Sequence, residues 1–156
     1  MRRLWSLCFC LCLVACDSNK KYGEHPPYPT SGQVLVNGQP AKEAMVVFHH
    51  VDKWGDKSIV PQAWTDQDGR FVLATYGTAD GAPEGDYRVV VIWPAYRRKS
   101  LGPDKLGEKF SKPETSGLTA HVNKGKNELP PFDLKATVID VKPPATGSGK
   151  GKRRNR

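Results

Sequence analysis

Apolar and polar residues alternate along most of the chain beyond residue 30, and this period of two predicts β-strands. Segment 86–93 has the strongest pattern, because Tyr87, Val89 and Val91 fall on one face while Val90 and Ile92 fall on the other. We therefore expect a central strand that is covered on both sides. The same reasoning predicts further strands at residues 33–36, 44–48, 63–65, 70–75, 118–122 and 132–134. No window of the sequence shows convincing helical periodicity.

Turn residues separate these segments at short intervals. Asn37-Gly38 is a strong hairpin signal after the first strand, and the sequence Asp-Gln-Asp-Gly at 66–69 predicts a turn in which Gly69 takes a positive φ. Short strands at this spacing predict an all-β fold, an antiparallel β-sandwich of about seven strands over residues 31–141. The expected core residues are Val34, Val36, Val46, Phe48, Phe71, Leu73, Tyr87, Val89 and Val91.

The N-terminus has the organisation of an export signal. Arg2 and Arg3 precede an almost wholly apolar run at 4–13, which is too short for a transmembrane helix of about 20 residues. The tetrapeptide Leu-Val-Ala-Cys that ends at Cys16 resembles the lipobox of bacterial lipoproteins. The resemblance implies that residues 1–15 are a signal peptide, that cleavage occurs before Cys16, and that the Cys16 thiol carries diacylglycerol. The alternative is an ordinary secretory peptide whose cysteine only happens to follow a small residue.

Composition divides the rest of the chain. Residues 16–30 are polar and Pro-rich, and we expect them to form the lipid anchor and an extended linker. Residues 142–156 contain six basic residues and no acidic one, which predicts a disordered basic tail. Of the 24 basic residues, 16 remain when Arg2, Arg3 and these six are set aside, and they balance 16 acidic residues. All four cysteines lie within the first 16 residues, so the domain has neither a disulfide nor a thiolate metal ligand.

Three blocks of the predicted sandwich resemble one known family. The first comprises residues 32–40 and 44–48, the second is 65–73 around the Asp-Gly turn, and the third is Gly-Asp-Tyr-Arg-Val-Val-Val at 85–91. In this order they resemble carboxypeptidase regulatory-like domains, which are transthyretin-like Greek-key sandwiches. The rest of the domain looks like the C-terminal part of planctomycete-type lipoproteins that carry this domain. The resemblance implies a fold and no particular chemistry.

Two motifs contain residue types that bind metals, but their spacing fits a turn and a strand better. The Asp-Gln-Asp-Gly sequence looks like the start of a calcium loop, yet an EF-hand needs an oxygen ligand at its fifth position and a Glu at its twelfth. Arg70 and Gly77 occupy those positions, so a hairpin turn is expected. His49 and His50 are adjacent on a predicted strand and therefore point to opposite faces. The sequence predicts no metal site and no cofactor.

No combination of nucleophile, base and orienting group is apparent in the sequence, so we do not expect an enzyme. Aromatic residues provide a possible ligand surface instead, with Trp54, Trp93 and Tyr96 as the candidate binding residues. Trp93 is also placed to close the core at a strand end, and Trp64 is a further member of this aromatic group.

These observations predict a lipid-anchored protein of the bacterial cell envelope that faces the periplasm or the cell exterior. Its expected partners are the membrane, through lipid on Cys16, and an envelope protein or polysaccharide, whereas nucleic acid is not expected there. Two functions remain open. The first is a non-enzymatic structural or interaction module, and the second is a binding module for a glycan or small ligand that uses loop aromatics.

Overall fold

The computed structural model describes residues 25–52, 59–97 and 101–141, and within these ranges the chain is all-β. The strands in chain order are β1 (Pro27–Tyr28), β2 (Thr30–Val36), β3 (Gln39–Pro40), β4 (Met45–His50), β5 (Gln62–Trp64), β6 (Arg70–Val72), β7 (Ala82–Pro83), β8 (Gly85–Ile92), β9 (Leu118–Val122), β10 (Asn127–Glu128) and β11 (Phe132–Leu134). Seven of these strands have three or more residues, and each overlaps one of the seven predicted segments. None of the residues in these ranges belongs to a helix that could cross a membrane. The predicted signal peptide, Cys16, Trp54 and the basic tail lie outside the described residues.

The described strands form two main sheets and a short ribbon. The first sheet is built around β2, which pairs with β3, β6, β10 and β11. The second sheet has the order β5-β4-β8-β9, so β8 is a central strand as predicted. β1 and β7 form the two-stranded ribbon. The chain crosses between the sheets from β3 to β4 and again from β5 to β6, which produces a sandwich-like arrangement.

Two pairings depart from the antiparallel arrangement that was expected throughout. β10 and β11 run parallel to β2, with Asn127 opposite Thr30 and Leu134 opposite Val36. Parallel neighbours need a long connection, and here the chain passes through the second sheet before it returns beside β2. Alternation of apolar and polar residues is the same in both strand directions, so the sequence pattern does not distinguish them.

The core lies between the two sheets and includes every residue predicted for it. All nine predicted core residues are at most 3% exposed. The ring centroid of Phe48 lies 5.5 Å from that of Tyr87 and 6.3 Å from that of Phe71. Phe71 also stacks on Phe132 at 6.3 Å. These aromatic contacts add to the hydrophobic stabilisation that the buried ring surfaces provide.

Burial extends to the outer face of the second sheet. Val47 and Val90 lie opposite each other on β4 and β8, on the face away from the core, and are 8% and 2% exposed. Their burial confirms that the central strand is covered on both sides at this point. Leu106 and Phe110, which the strand pattern does not predict as core residues, also join the main hydrophobic cluster.

The two predicted turns have the expected backbone conformations. Asn37 and Gly38 have φ angles of 53° and 80° and join β2 to β3 in a two-residue hairpin. Gly69 has a φ of 72° in the turn before β6. β3 ends at Pro40, whose nitrogen has no hydrogen to donate to a longer ladder.

Replacing the central ring of the core tests the packing directly. Phe71→Ala should lower the free energy of unfolding by about 3–5 kcal/mol, because the ring is 3% exposed and contacts aromatic residues of both sheets. Val72→Thr is the matched control, since Val72 is 51% exposed, and it should change the free energy by less than about 0.5 kcal/mol. Urea unfolding measures both, and equal effects would contradict the assignment of the two faces.

Candidate functional site

The first sheet has an irregularity where β10 gives way to β11. β10 pairs with the start of β2, whereas β11 pairs from Val34 onwards. The three residues 129–131 therefore lie opposite only two residues, 32–33. Two of the three are prolines, which cannot donate to a continuous ladder. The resulting bulge interrupts the pairing of the sheet and opens its surface.

A groove of about 850 Å³ lies beside this bulge, and we call it the Trp64 groove. Its volume is within the range of about 300–1,000 Å³ that is usual for ligand sites. Side chains on β5 and β6 alternate between the core and the surface, so Ala63 and Phe71 are buried while the residues beside them face the surface. This alternation explains why surface residues of the two strands line the groove. The lining includes Gln33, Trp64, Asp66, Arg70, Glu128 and Leu129.

The indole of Trp64 is held from outside the groove. The guanidinium carbon of Arg97 lies 3.9 Å from the centroid of the Trp64 ring, a cation–π contact. Arg97 does not line the groove, whereas Trp64 does. The guanidinium therefore supports the ring without filling the groove.

The Asp66 carboxylate organises the turn at one wall of the groove. Its Oδ1 accepts hydrogen bonds of 2.9 Å from the backbone nitrogens of Asp68 and Arg70. The side-chain amide of Gln33 donates a further bond of 2.9 Å to the carbonyl oxygen of Asp68. The Asp-Gln-Asp-Gly motif thus holds a hairpin turn, as its spacing predicts.

A smaller opening of about 490 Å³, the edge cleft, separates β9 from the segment between β10 and β11. Its lining is largely apolar and includes Tyr87, Leu129 and Phe132. At the rim, Nδ1 of His121 lies 2.6 Å from Oδ1 of Asp86, and this hydrogen bond raises the pKa of His121. Both side chains are largely exposed, so water screens the pair and its effect on stability is small.

Trp93 contributes to the packing of the domain. Its indole Nε1 donates a hydrogen bond of 2.8 Å to the carbonyl oxygen of Lys42, and its ring packs against the core. The ammonium nitrogen of Lys105 lies 3.5 Å from the ring centroid. Burial lowers the pKa of Lys105, although the negative charges of Glu43 and Asp140 act to raise it. One face of the Trp93 ring is thus covered by a lysine.

Tyr96 is half-buried and lies against Gly102. The backbone nitrogen of Gly102 donates a hydrogen bond of 2.9 Å to the carbonyl oxygen of Tyr96, and a Cβ at Gly102 would collide with the Tyr96 ring. Neither Trp93 nor Tyr96 lines the Trp64 groove or the edge cleft. The structure therefore places both predicted binding aromatics away from these two openings, while Trp54 lies outside the described residues.

The segment after β8 packs onto the sandwich through one carboxylate. Oδ1 of Asp104 accepts hydrogen bonds from the backbone nitrogens of Trp93 (2.9 Å) and Leu106 (3.0 Å), and Oδ2 accepts one from Glu108 (3.2 Å). The backbone nitrogen of Val91 donates to the carbonyl oxygen of Phe110 at 3.0 Å. These bonds hold the two apolar side chains of this segment in the core.

His49 and His50 lie on opposite faces of β4, as predicted, since their partners on β8 are Arg88 and Tyr87. The His50 ring meets the Tyr87 ring edge-on at 5.0 Å. Burial lowers the pKa of His49, and Glu114 opposes this shift. Within the part of the chain that the structure describes, no three His, Cys, Asp or Glu side chains gather closely enough to hold a metal ion.

The sequence alone does not reveal the Trp64 groove. Alternation along β5 and β6 does indicate that Trp64 and Arg70 face outwards, and this is the part of the groove that the sequence pattern predicts. The opposite wall of the groove includes Glu128, which is distant from Trp64 and Arg70 in the sequence. The two walls come together only because β6 and β10 pair with opposite sides of β2.

No family model matches the chain, and no curated protein is similar to it in sequence. Among solved structures, a DUF3823 family protein from Parabacteroides merdae aligns with 74% of this chain at 19% identity and a TM-score of 0.40. A 9R-lipoxygenase from Cyanothece aligns with 76% of the chain at 14% identity and a TM-score of 0.39. The chain spans about half (48%) of the first protein and 18% of the second. Both similarities are too low to bear on function.

The role of Asp66 as a turn-forming residue is testable. Asp66→Ala should lower the free energy of unfolding by about 1–2 kcal/mol, because two backbone N–H groups lose their acceptor. Asp68→Ala removes a neighbouring carboxylate and should cost less than about 0.5 kcal/mol. Added calcium should leave the melting temperature of the parent protein unchanged. A calcium-dependent rise that disappears in Asp66→Ala would instead indicate a metal site.

Proposed function

We propose that this chain is a lipid-anchored protein of the bacterial cell envelope whose β-sandwich is a non-enzymatic interaction module. The observation that carries the proposal is the lipobox-like tetrapeptide ending at Cys16, after a charged start and a short apolar run. Two or more acyl chains on this cysteine would give stable attachment, whereas a single chain binds reversibly. The domain would then face the periplasm or the cell exterior.

The family resemblance supports the same role. The residue blocks that resemble carboxypeptidase regulatory-like domains coincide with β2 to β4, with β6 and the turn before it, and with β8. Several carboxylates of the domain bind backbone groups of nearby loops. Asp80, for example, accepts hydrogen bonds from the nitrogens of Thr75 (2.7 Å), Tyr76 (3.1 Å) and Gly77 (2.8 Å). We infer a transthyretin-like module that binds partners without transforming them.

The strand directions suggest how such a module would be oriented. The described chain enters through β1 and the start of β2. It leaves beside the other end of β2, where Asn37 donates hydrogen bonds from its backbone to Leu134 O (2.9 Å) and from its side chain to Ala136 O (2.8 Å). The seven residues of β2 span about 20–24 Å. The lipid tether and the basic tail would therefore emerge from opposite ends.

The tether also limits the distance from the membrane. Ten residues separate Cys16 from Pro27, and an extended chain over these eleven residue steps reaches at most about 35–40 Å. The basic tail would start beyond the domain, on the side away from the anchor. It is suited there to an anionic envelope polymer or an acidic protein surface. A ligand-binding role is the second candidate function, and the open Trp64 groove favours it.

Replacing the predicted lipid acceptor tests the anchor. Cys16→Ser should abolish lipid attachment and leave an uncleaved precursor, because processing of lipoproteins requires the modified thiol. Mass spectrometry and detergent-phase partitioning measure the two effects. Cys12→Ser, a change within the apolar run, is the matched control and should be processed normally. Normal detergent-phase partitioning and processing of Cys16→Ser would contradict the lipoprotein proposal.

Removing residues 142–156 tests the independence of the tail. The melting temperature should be almost unchanged, because the segment has no large apolar side chain to bury. Retention on a heparin column should fall after the deletion, since the remaining body is formally neutral. The retention of the parent protein should also decrease with added salt, because salt screens exposed charges over about 10 Å at 0.1 M. A large drop in melting temperature would show that the tail packs on the sandwich. Unchanged retention would locate the anion site on the domain.

A further inference from the structure

We propose that the Trp64 groove is a binding site for a neutral oligosaccharide. The proposal deepens the interaction role already inferred, but it rests on described residues alone and does not require the lipid anchor. Three properties of the groove carry it: a supported aromatic ring, polar side chains of balanced charge, and an opening beside a strand that is already paired on both sides.

The Trp64 ring provides the apolar contact. Sugar rings present flat faces of C–H groups, and an indole of large area can pack against such a face. Trp64 is half-buried and lines the groove, while Arg97, 3.9 Å from the ring centroid, supports it from outside. A ring fixed in this way loses little conformational freedom on binding.

The polar side chains provide acceptors and donors for hydroxyl groups. Arg70 offers a planar fork of N–H donors, and its guanidinium forms no ion pair within the described part of the chain. Asp66 uses Oδ1 for the turn, which leaves Oδ2 directed to no described backbone donor. Glu128 is paired with Lys126 through Oε1. Carboxylate and guanidinium groups can each bind two neighbouring hydroxyl groups. A pyranose ring presents pairs of hydroxyl groups at a suitable spacing.

The charges of the groove nearly cancel. Asp66 and Glu128 carry two negative charges, whereas Arg70 in the lining, Arg97 behind the indole and Lys126 beside Glu128 carry positive charge. A polyanion would meet both carboxylates, and a polycation would meet the guanidinium groups. A neutral, polyhydroxylated ligand avoids either repulsion and can still use every polar group.

The backbone around the groove disfavours an extended peptide. Ser31 already pairs with Val72 on one side and with Glu128 on the other, so β2 has no free edge there. A peptide could not add to β2 as a further strand at this point, although strand addition is a common means of recognising extended chains. Recognition over β2 therefore depends on side chains, and the groove volume of about 850 Å³ is within the usual range of ligand sites.

The binding experiment uses the full chain in a zwitterionic detergent that lacks a sugar headgroup. Cellotetraose and tetra-N-acetylchitotetraose are the probes, because both are neutral and their equatorial β-1,4 linkages expose flat C–H faces. Calorimetry should detect binding that is insensitive to salt, since the ligands are neutral. Amide NMR shifts should locate the ligand at Gly32, Gln33, Val72 and Leu129.

Paired variants test the named side chains. Trp64→Ala and Arg70→Gln should each weaken binding by about tenfold. Trp93→Phe and Arg88→Gln change the same residue types elsewhere on the domain and should alter affinity by less than about twofold. Arg70 is exposed, so its variant should fold even if Trp64→Ala does not, and the NMR spectrum checks this.

Four results would overturn the proposal. They are the absence of shifts at millimolar saccharide, shifts centred on Trp93 instead, unchanged affinity of folded Arg70→Gln, and binding of a decaproline peptide at the same amides with displacement of the sugar. None of these results affects membrane partitioning of the parent protein or of Cys16→Ser. Failure at the groove is therefore distinguishable from failure of the lipid anchor.

Discussion

The double pairing of β2 is the constraint on which the rest of the structure depends. β2 hydrogen-bonds to β3 and β6 in the antiparallel direction and to β10 and β11 in the parallel direction, so the whole first sheet takes its register from one strand. A slip of one residue would turn Val34 and Val36 towards solvent and expose the aromatic cluster that they help to enclose. The same register places three residues opposite two at the proline bulge, and the groove beside Trp64 follows from that mismatch.

The domain achieves this arrangement without a thiol, and its loops are fixed by carboxylate and amide side chains instead. Asp66 and Asp80 accept two and three backbone hydrogen bonds within a few residues, and Asp104 accepts two such bonds and a third from Trp93, eleven residues earlier. Asn127, which is 7% exposed, binds three backbone groups of the turn between β9 and β10. A small domain has limited core area for its surface, and such local bonds reduce the freedom of loops that the core does not reach.

Much of the fold follows from local sequence, and the remainder depends on contacts between distant segments. Tyr87, Val89 and Val91 could be assigned to the core because alternation on a strand is a local property. Leu106 and Phe110 could not, because they belong to no strand and are held against the core by the bonds of Asp104 and by the backbone bond from Val91 to Phe110. The parallel direction of β11 was missed for a similar reason, since it depends on the path of the chain through the second sheet.

The candidate site likewise combines features that follow from local sequence with features that depend on distant segments. Trp93 was a candidate binding residue that was also placed to close the core at a strand end, and the carbonyl of Lys42 and the ammonium of Lys105, both supplied by other segments, engage its indole. Trp64 looked no different in the sequence, yet it lines an open groove. Whether an aromatic residue is available depends on its neighbours in space, which a single sequence does not give.

The parallel direction of β2 and β11 also has a mechanical consequence. A force that pulls the start of β2 away from the end of β11 acts along both strands, and it drives them past each other lengthwise. The hydrogen bonds along residues 34–36 and their partners at 132–134 then share the load at once instead of opening one after another. A hairpin pulled from its two free ends would unzip bond by bond. Tension applied across β2 and β11 in this way meets a shear arrangement, and the domain therefore resists extension along the direction of these two strands.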